Sequence, residues 1–183
     1  MTIPLPHRIK NHLGEEIIFH RYESSPQGEK LIFETYLDAG TRPVTRSYRQ
    51  QEVGLTVVHG KLGYQVDGEE PRIAGIGETV VFAPGKPLRF WNAGDKELNC
   101  YGWITPPQNI IFQLSLLFHS INESGTERPE QFSGAFLLHR YRNEFDMPHL
   151  PRFVKKVVIP ATYGVGKITG RYKKFKNAPA PLV

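Results

Sequence analysis

Residues 52–66, EVGLTVVHGKLGYQV, decide the fold class of this chain. Two sets of alternating side chains stand on either side of Gly60: Val53, Leu55, Val57 and His59, then Leu62, Tyr64 and Val66. A period of two is typical of β-strands that bury one face. We therefore predict two strands here, separated by a turn.

The same period extends from Glu15 to about Pro106. Short apolar and aromatic segments follow one another there, separated by Gly, Pro, Asp or Asn: EEIIFHRY, KLIFETYLDAG, EVGLTVVHG, KLGYQVDG, ETVVFAP, LRFWNAG and ELNCYGWIT. The pair Asp67-Gly68 and the tip Ala93-Gly94-Asp95 are turn signals of the kind that close hairpins. Because no helical pattern separates the segments, they predict an all-β sandwich or barrel.

Beyond Pro106 the apolar residues change to helical spacing. One set lies within residues 110–121 and a second within 132–141, with Pro129 placed for a first turn. A third helix is predicted from Pro151 through Ile159, where Pro160 would end or kink it. The sequence thus predicts a barrel of residues 1–107 and a C-terminal helical extension of residues 108–183.

Composition describes an ordinary globular chain. Of 183 residues, 39% are hydrophobic and 22% charged, which excludes a disordered or fibrous protein. The single cysteine, Cys100, excludes an intrachain disulfide framework and favours a reducing compartment, so we expect a cytoplasmic protein. No apolar run approaches the roughly 20 residues of a membrane span, and no signal-peptide pattern is present.

The net charge of +5 is unevenly distributed. Residues 151–183 contain eight Lys or Arg and no acid, whereas residues 1–150 contain 15 bases and 18 acids. Nucleic-acid binding is not favoured, because no nucleic-acid fold signature accompanies the charge. We expect the tail to dock on the body, or on a dimer mate, through its apolar residues: Phe153, Val157, Tyr172 and Phe175. Peripheral contact with an anionic membrane is an alternative that we do not favour.

Residues 40–92 resemble the two sequence motifs of the cupin superfamily, whose members are small double-stranded β-helix barrels. The first motif has a glycine, His-x-His, a glutamate and a second glycine, and its frame falls here on Gly40, Arg46, Tyr48, Glu52 or Val53, and Gly60. The second has a glycine, Pro-x-Gly, a histidine and an asparagine, and its frame falls on Gly77, Ala83, Gly85, Leu88 and Asn92. The resemblance implies a cupin jelly-roll barrel with an interior pocket at these positions.

In metal-binding cupins the histidines and the glutamate hold a metal ion. Here three of those positions are Arg46, Tyr48 and Leu88. An arginine has no lone pair to donate and a leucine has no donor atom, so we expect neither a metal nor another cofactor.

Strand parity places an arginine and aromatic side chains in the barrel lumen. The candidate ligand-binding residues are Arg46, Tyr48, Glu52, His59, Tyr64, Leu88 and Phe90. A buried guanidinium needs an anionic partner. Two interpretations of Arg46 stay open: a structural pair with Glu52, or a donor to the anionic group of a ligand.

We therefore expect a metal-free cupin that binds a small, anionic organic molecule in its lumen. The alternative is a metal-independent isomerase, epimerase or cyclase that uses Tyr48, Glu52 or His59 as acid or base, so enzymatic activity stays open. A further alternative is a structural or partner-binding module. We also expect a homodimer, because exposed sheet edges need protection.

Overall fold

The computed structural model describes residues 3–26, 28–41, 45 and 47–182. These residues form mainly antiparallel β-structure, followed by helices. The strands are β1 His7–Lys10, β2 Glu15–Ser25, β3 Gly28–Leu37, β4 Ser47–Tyr48, β5 Glu52–His59, β6 Leu62–Val66, β7 Arg72–Ala74, β8 Thr79–Phe82, β9 Leu88–Asn92, β10 Leu98–Thr105 and β11 Phe145–Asp146. All seven segments predicted from the period of two contain a strand.

Two antiparallel sheets enclose the core of the barrel. One has the order β1-β2-β3-β10-β5-β8 and the other the order β7-β6-β9. Inward residues of both sheets belong to one continuous apolar core, among them Leu31, Leu55, Leu62 and Leu98. The predicted all-β barrel with a C-terminal helical part is confirmed at the level of the fold.

Gly60 carries the chain from one sheet to the other. Its φ is +86°, a left-handed conformation that favours glycine. A Cβ atom here would lie 3.1 Å from the Glu97 carbonyl oxygen and the Leu98 Cα. The turn after β5 therefore depends on glycine for both its conformation and its space.

One predicted hairpin is not formed. Asp67-Gly68 does join the antiparallel pair β6 and β7, but Ala93-Gly94-Asp95 joins β9 and β10, which lie in different sheets. Asn92 shapes this crossing: its Nδ2 donates to the carbonyl oxygens of Leu37 at 2.9 Å and Lys96 at 2.6 Å, and its Oδ1 accepts from the Gly94 N–H.

The first two helices match the predicted periodicity. Helix α1, Ile110–Ser124, lays Ile110 and Leu114 against the lumen and so closes part of the barrel. Helix α2, Gln131–Arg140, begins after Glu130 rather than at Pro129. The Glu130 carboxylate accepts from the N–H groups of Phe132 at 3.0 Å and Ser133 at 2.8 Å.

The third helix is longer than predicted. A π-helical turn, Val154–Val158, continues directly into α3, Ile159–Ile168, so Pro160 does not end the helix. In the π turn the Ile159 N–H bonds to the Val154 carbonyl oxygen, a wider spacing than in an α-helix. Pro160 then lies in the first turn of α3, where its missing N–H is tolerated. A short 3₁₀ turn, Arg171–Phe175, follows.

The tail docks only in part as expected. The rings of Tyr172 and Phe175 lie 5.1 Å and 4.4 Å from the ring of Phe136 on α2. Phe153 and Val157, by contrast, are 67% and 50% exposed. Docking within the chain therefore holds for Tyr172 and Phe175 but not for Phe153 and Val157, and docking of these two on a dimer mate stays a prediction. No described helix is both long and apolar enough to cross a membrane.

Candidate functional site

The interior of the barrel contains an apolar cavity. Its wall comes from both sheets and α1: Ile17, Phe19, Phe33, Thr35, Tyr48, Val53, Leu55, Phe82, Leu88, Phe90, Ile104, Ile110 and Leu114. The free volume is about 30 Å³, enough for about one water molecule. Small-molecule sites usually have roughly 300 Å³ or more. This cavity therefore accepts a single chemical group rather than a whole organic ligand.

Two hydroxyl-bearing side chains interrupt the apolar wall. Thr35 on β3 is buried, and its Oγ1 has no hydrogen-bond partner among the described residues. Tyr48 on β4 is also buried, with its ring 6.1 Å from that of Phe145 on β11. A buried hydroxyl without a partner costs roughly 1–3 kcal/mol. A polar ligand atom reaching Thr35 would recover part of that cost.

The donor set at this wall does not fit the metal that many cupins hold. Leu88 has no donor atom, and Val53 rather than Glu52 lines the cavity. The two hydroxyl groups of Thr35 and Tyr48 are a poor ligand set for a first-row transition metal ion. Within the described parts of the chain, no three His, Cys, Asp or Glu side chains are grouped as a metal site would require.

Only some of the predicted site residues line the lumen cavity. Tyr48, Leu88 and Phe90 all line the cavity. Glu52 precedes the inward Val53 and lies on the other face of β5. Arg46 lies outside the described residues, so both interpretations of it remain predictions.

Tyr64 lies next to the lumen rather than inside it. Its ring meets that of Phe82 edge-on, with centroids 5.9 Å apart. It also lines an open depression of about 280 Å³, whose wall includes Leu88, Glu69 and Lys86.

His59 lies away from the lumen. It is exposed at the end of β5 and lines a separate depression with Lys61, Asp95 and Lys96. A register shift between the pairs of Asn99 and Cys100 inserts Val58 as an extra residue opposite β10. Because a bulge of this kind breaks the alternation of side chains, His59 does not continue the inward set.

A larger depression, which we call the mouth, opens beside the lumen. Its volume is about 450 Å³, and its lining residues are Thr45, Gln65, Asp67, Pro87, Leu88, Arg89, Pro148 and His149. Leu88 belongs to the walls of both the mouth and the lumen cavity. The mouth is therefore large enough for a small organic molecule and directly adjoins the apolar interior.

The mouth carries one fixed cation and one titratable ring. Arg89 Nε donates to Gln65 Oε1 at 2.8 Å, and its guanidinium carbon lies 5.6 Å from the ring centroid of Trp91. Loss of solvent lowers the pKa of His149, against the raising effects of the Thr45 backbone and Asp146. The carboxylate of Asp67 is the opposing charge on the same wall.

Sequence reasoning missed several of these residues. Alternation with Phe33 predicts that Thr35 faces the lumen, but a threonine on a strand is not by itself a signal of a binding site. Arg89 and His149 have no motif, since they meet only when the segment after β11 returns to the barrel. Glu144, fully buried, also lacked a signal.

Glu144 is the acceptor at the centre of a buried polar cluster. Its carboxylate oxygens accept from Asn109 Nδ2 at 3.0 Å, Gln113 Nε2 at 2.7 Å and the Leu182 N–H at 2.8 Å. Nearby, the Tyr141 hydroxyl donates to the Pro179 carbonyl oxygen at 2.8 Å. We call this cluster the C-terminal clasp, because it ties residues 179–182 to the helices.

No protein-family model matches the chain, and no curated protein matches it. Solved structures with a similar fold include the cupin domain of Cnp3 from Schizosaccharomyces pombe, at a TM-score of 0.41 and 11% identity over 48% of this chain and 63% of that one. A CENP-C domain from Drosophila melanogaster has a TM-score of 0.45 and 13% identity, covering 54% of this chain and 72% of that one.

A third similar structure is a sugar phosphate isomerase of the cupin superfamily from Silicibacter pomeroyi. Its TM-score is 0.42 at 15% identity, covering 50% of this chain and 59% of that one. The chain thus spans less than two thirds of the length of the Cnp3 domain and of this isomerase. Similarity at this level says nothing about substrate or activity.

Proposed function

We propose that this protein binds a small organic anion at the mouth of its barrel. The observation that carries the proposal is the position of the mouth: a 450 Å³ depression that shares Leu88 with the apolar lumen. A ligand there can place a charged group among polar side chains and an apolar group against Leu88. This refines the expectation of binding inside the lumen, whose cavity of about 30 Å³ accepts no more than one group of the ligand.

Arg89 is the proposed anion-binding group. Its Nε is already engaged by Gln65, which fixes the side chain and leaves the terminal N–H groups for a carboxylate or phosphate. Arg46 follows Thr45, a mouth residue, by one position. We retain Arg46 as a second anion-binding cation on the sequence argument alone.

The alternative of an acid–base enzyme lacks a common site. Tyr48 faces the lumen, Glu52 lies on the other face of β5, and His59 is exposed beside Lys61. The alternative needs only one of these residues, and of the three only Tyr48 could act as acid or base on a group in the lumen. A structural or partner-binding role is the second candidate, and the nearly filled lumen favours it.

Thermal unfolding with benzoate and benzamide separates these functions, because the two molecules differ mainly in charge. We expect benzoate to raise the midpoint of unfolding of the full chain more than benzamide does. Arg89→Gln and Arg46→Gln should each remove that difference while leaving the unliganded midpoint near that of the wild type. Lys61→Gln, in the separate depression of His59, is the matched control, and it should retain the difference between the shifts caused by benzoate and benzamide.

The proposal fails if neither benzoate nor a wider set of keto acids and sugar phosphates shifts the midpoint. It also fails if benzoate and benzamide act equally in the wild type and in Arg89→Gln. Either result would support the structural or partner-binding role instead.

We further propose a homodimer and retain the cytoplasm as the compartment. Strand β8 is an edge of the six-stranded sheet, and Val81 on it is 52% exposed. Exposed edge strands invite pairing, so Val81→Lys should convert a dimer to a monomer in light scattering. A monomeric wild type would refute this proposal. The compartment rests on the single cysteine, which has no disulfide partner within the chain.

A further inference from the structure

The continuous helix of residues 152–168, which includes the π turn and α3, presents an exposed apolar stripe. Its members follow one another at intervals of four, one, seven and three positions and have large exposed fractions: Phe153 67%, Val157 50%, Val158 38%, Val165 51% and Ile168 88%. Such spacing places side chains on one face of a helix. Clustered exposed apolar residues of this kind mark interaction surfaces.

The opposite side of the same helix is already used for packing. Ile159 is buried, and the ring of Tyr163 lies 6.3 Å from that of Phe136 and 4.3 Å from that of His139 on α2. Gly166 lies against the Tyr172 ring so closely that a Cβ atom would collide with it. The helix is thus anchored on α2, and nothing in the described part of the chain covers the stripe.

The surroundings of the stripe are cationic. Arg152, Lys156 and Lys167 are exposed on this helix, and among the described residues none of them forms an ion pair. Two other lysines of the tail are paired, Lys155 with Asp146 at 2.8 Å and Lys174 with Glu123 at 3.5 Å. Since residues 151–183 contain no Asp or Glu, every charged side chain on this helix is positive.

We propose that this face, Phe153, Val157, Val158, Val165 and Ile168 with their flanking cations, binds the surface of an anionic lipid bilayer. The apolar stripe would enter the boundary between headgroups and acyl chains, and the cations would contact lipid phosphates and carboxylates. A polyanion such as DNA would satisfy the charges but would leave the stripe exposed to water. The helix is too short to span a bilayer, so it lies in the plane of the surface. This inference is independent of the proposed anion site.

Co-sedimentation of the full-length protein with vesicles tests the proposal. The protein should bind vesicles of phosphatidylcholine with phosphatidylserine, with an affinity that falls as salt rises, and bind phosphatidylcholine alone about tenfold more weakly. Phe153→Ser combined with Ile168→Ser should lower binding about tenfold by removing buried apolar area. Lys156→Gln combined with Lys167→Gln should lower binding to the anionic vesicles only.

The control variant is Ile76→Ser, which removes an apolar side chain that is 68% exposed on the barrel. It should bind as the wild type does, and unchanged unfolding midpoints would show that all variants are folded. Failure of the wild type to bind anionic vesicles overturns the proposal, as does equal binding by Phe153→Ser/Ile168→Ser. Loss of dimerisation in that variant would show instead that the stripe contacts a second copy of the chain. DNA binding that depends on the lysines and not on the stripe would assign the face to a polyanion.

Discussion

Cys100 lies on β10 between Thr35 of β3 and Val57 of β5, fully buried. Burial raises the pKa of its thiol to about 12. Only the thiolate is a good nucleophile. Burial within the sheet therefore keeps the Cys100 thiol protonated and away from solvent.

We predict that Cys100 does not react with Ellman's reagent in the native protein at pH 8 and reacts fully once the chain is unfolded in urea. Release of the coloured thiolate, followed by absorbance, measures both rates. Native reaction at the rate of the unfolded chain would show that β10 is open to solvent.

At the scale of single residues, alternation along a strand predicted part of the site. It placed Leu88, Phe90 and Tyr48 correctly on the lumen wall. It failed at His59, because a bulge around Val58 interrupts the alternation. Nothing in the local sequence distinguishes a regular strand end from a bulged one.

Among the elements, helix α2 depends on a side-chain cap. Burial alone would raise the pKa of Glu130, but hydrogen bonds from the Phe132 and Ser133 N–H groups outweigh it, so the pKa is lowered. A carboxyl whose pKa is lower in the folded state stabilises the fold at pH values above its unfolded pKa. That contribution disappears as the pH falls through the folded pKa.

Glu130→Ala should accordingly lower the free energy of unfolding by about 1 kcal/mol at pH 7. The difference from the wild type should narrow only at pH values below the ordinary glutamate pKa of about 4.3, because the lowered pKa of Glu130 moves its protonation to more acidic pH. Urea denaturation at both pH values measures it. A difference that is independent of pH would mean that the charged cap has no role.

Periodicity predicted seven of the eleven described strands and the first two helices, because these depend on local sequence, but it did not predict the short strands β1, β4, β7 and β11. It could not predict which strands pair. Residues 93–95 do form a connection between two strands, as their turn signal predicts, but these strands, β9 and β10, belong to different sheets. It also misplaced the end of the third helix, since a π turn before Pro160 allows the helix to continue.

In the whole molecule, the C-terminal clasp connects the tail to the helices. Glu144 is buried and accepts from Asn109, Gln113 and the Leu182 N–H. These contacts join parts of the chain that are far apart in sequence. No single-sequence pattern could have predicted them.

Removal of the carboxylate would leave buried donors without an acceptor. Glu144→Ala should lower the free energy of unfolding by about 3 kcal/mol, measured by urea denaturation. Glu127→Ala, at an exposed acid, is the control and should change it by less than about 0.5 kcal/mol. Equal effects of the two substitutions would show that the clasp does not stabilise the protein.

The most direct test of the central claim, an anion site at the mouth beside Leu88, is a titration of the isotope-labelled protein with benzoate followed by NMR. We predict concentration-dependent shifts of backbone amide signals from Thr45, Leu88, Arg89 and His149, smaller with benzamide and absent in Arg89→Gln. Signals of His59 and Lys61, in the separate depression, should stay unchanged. Absence of any shift at the mouth, or shifts confined to His59 and Lys61, would contradict the account.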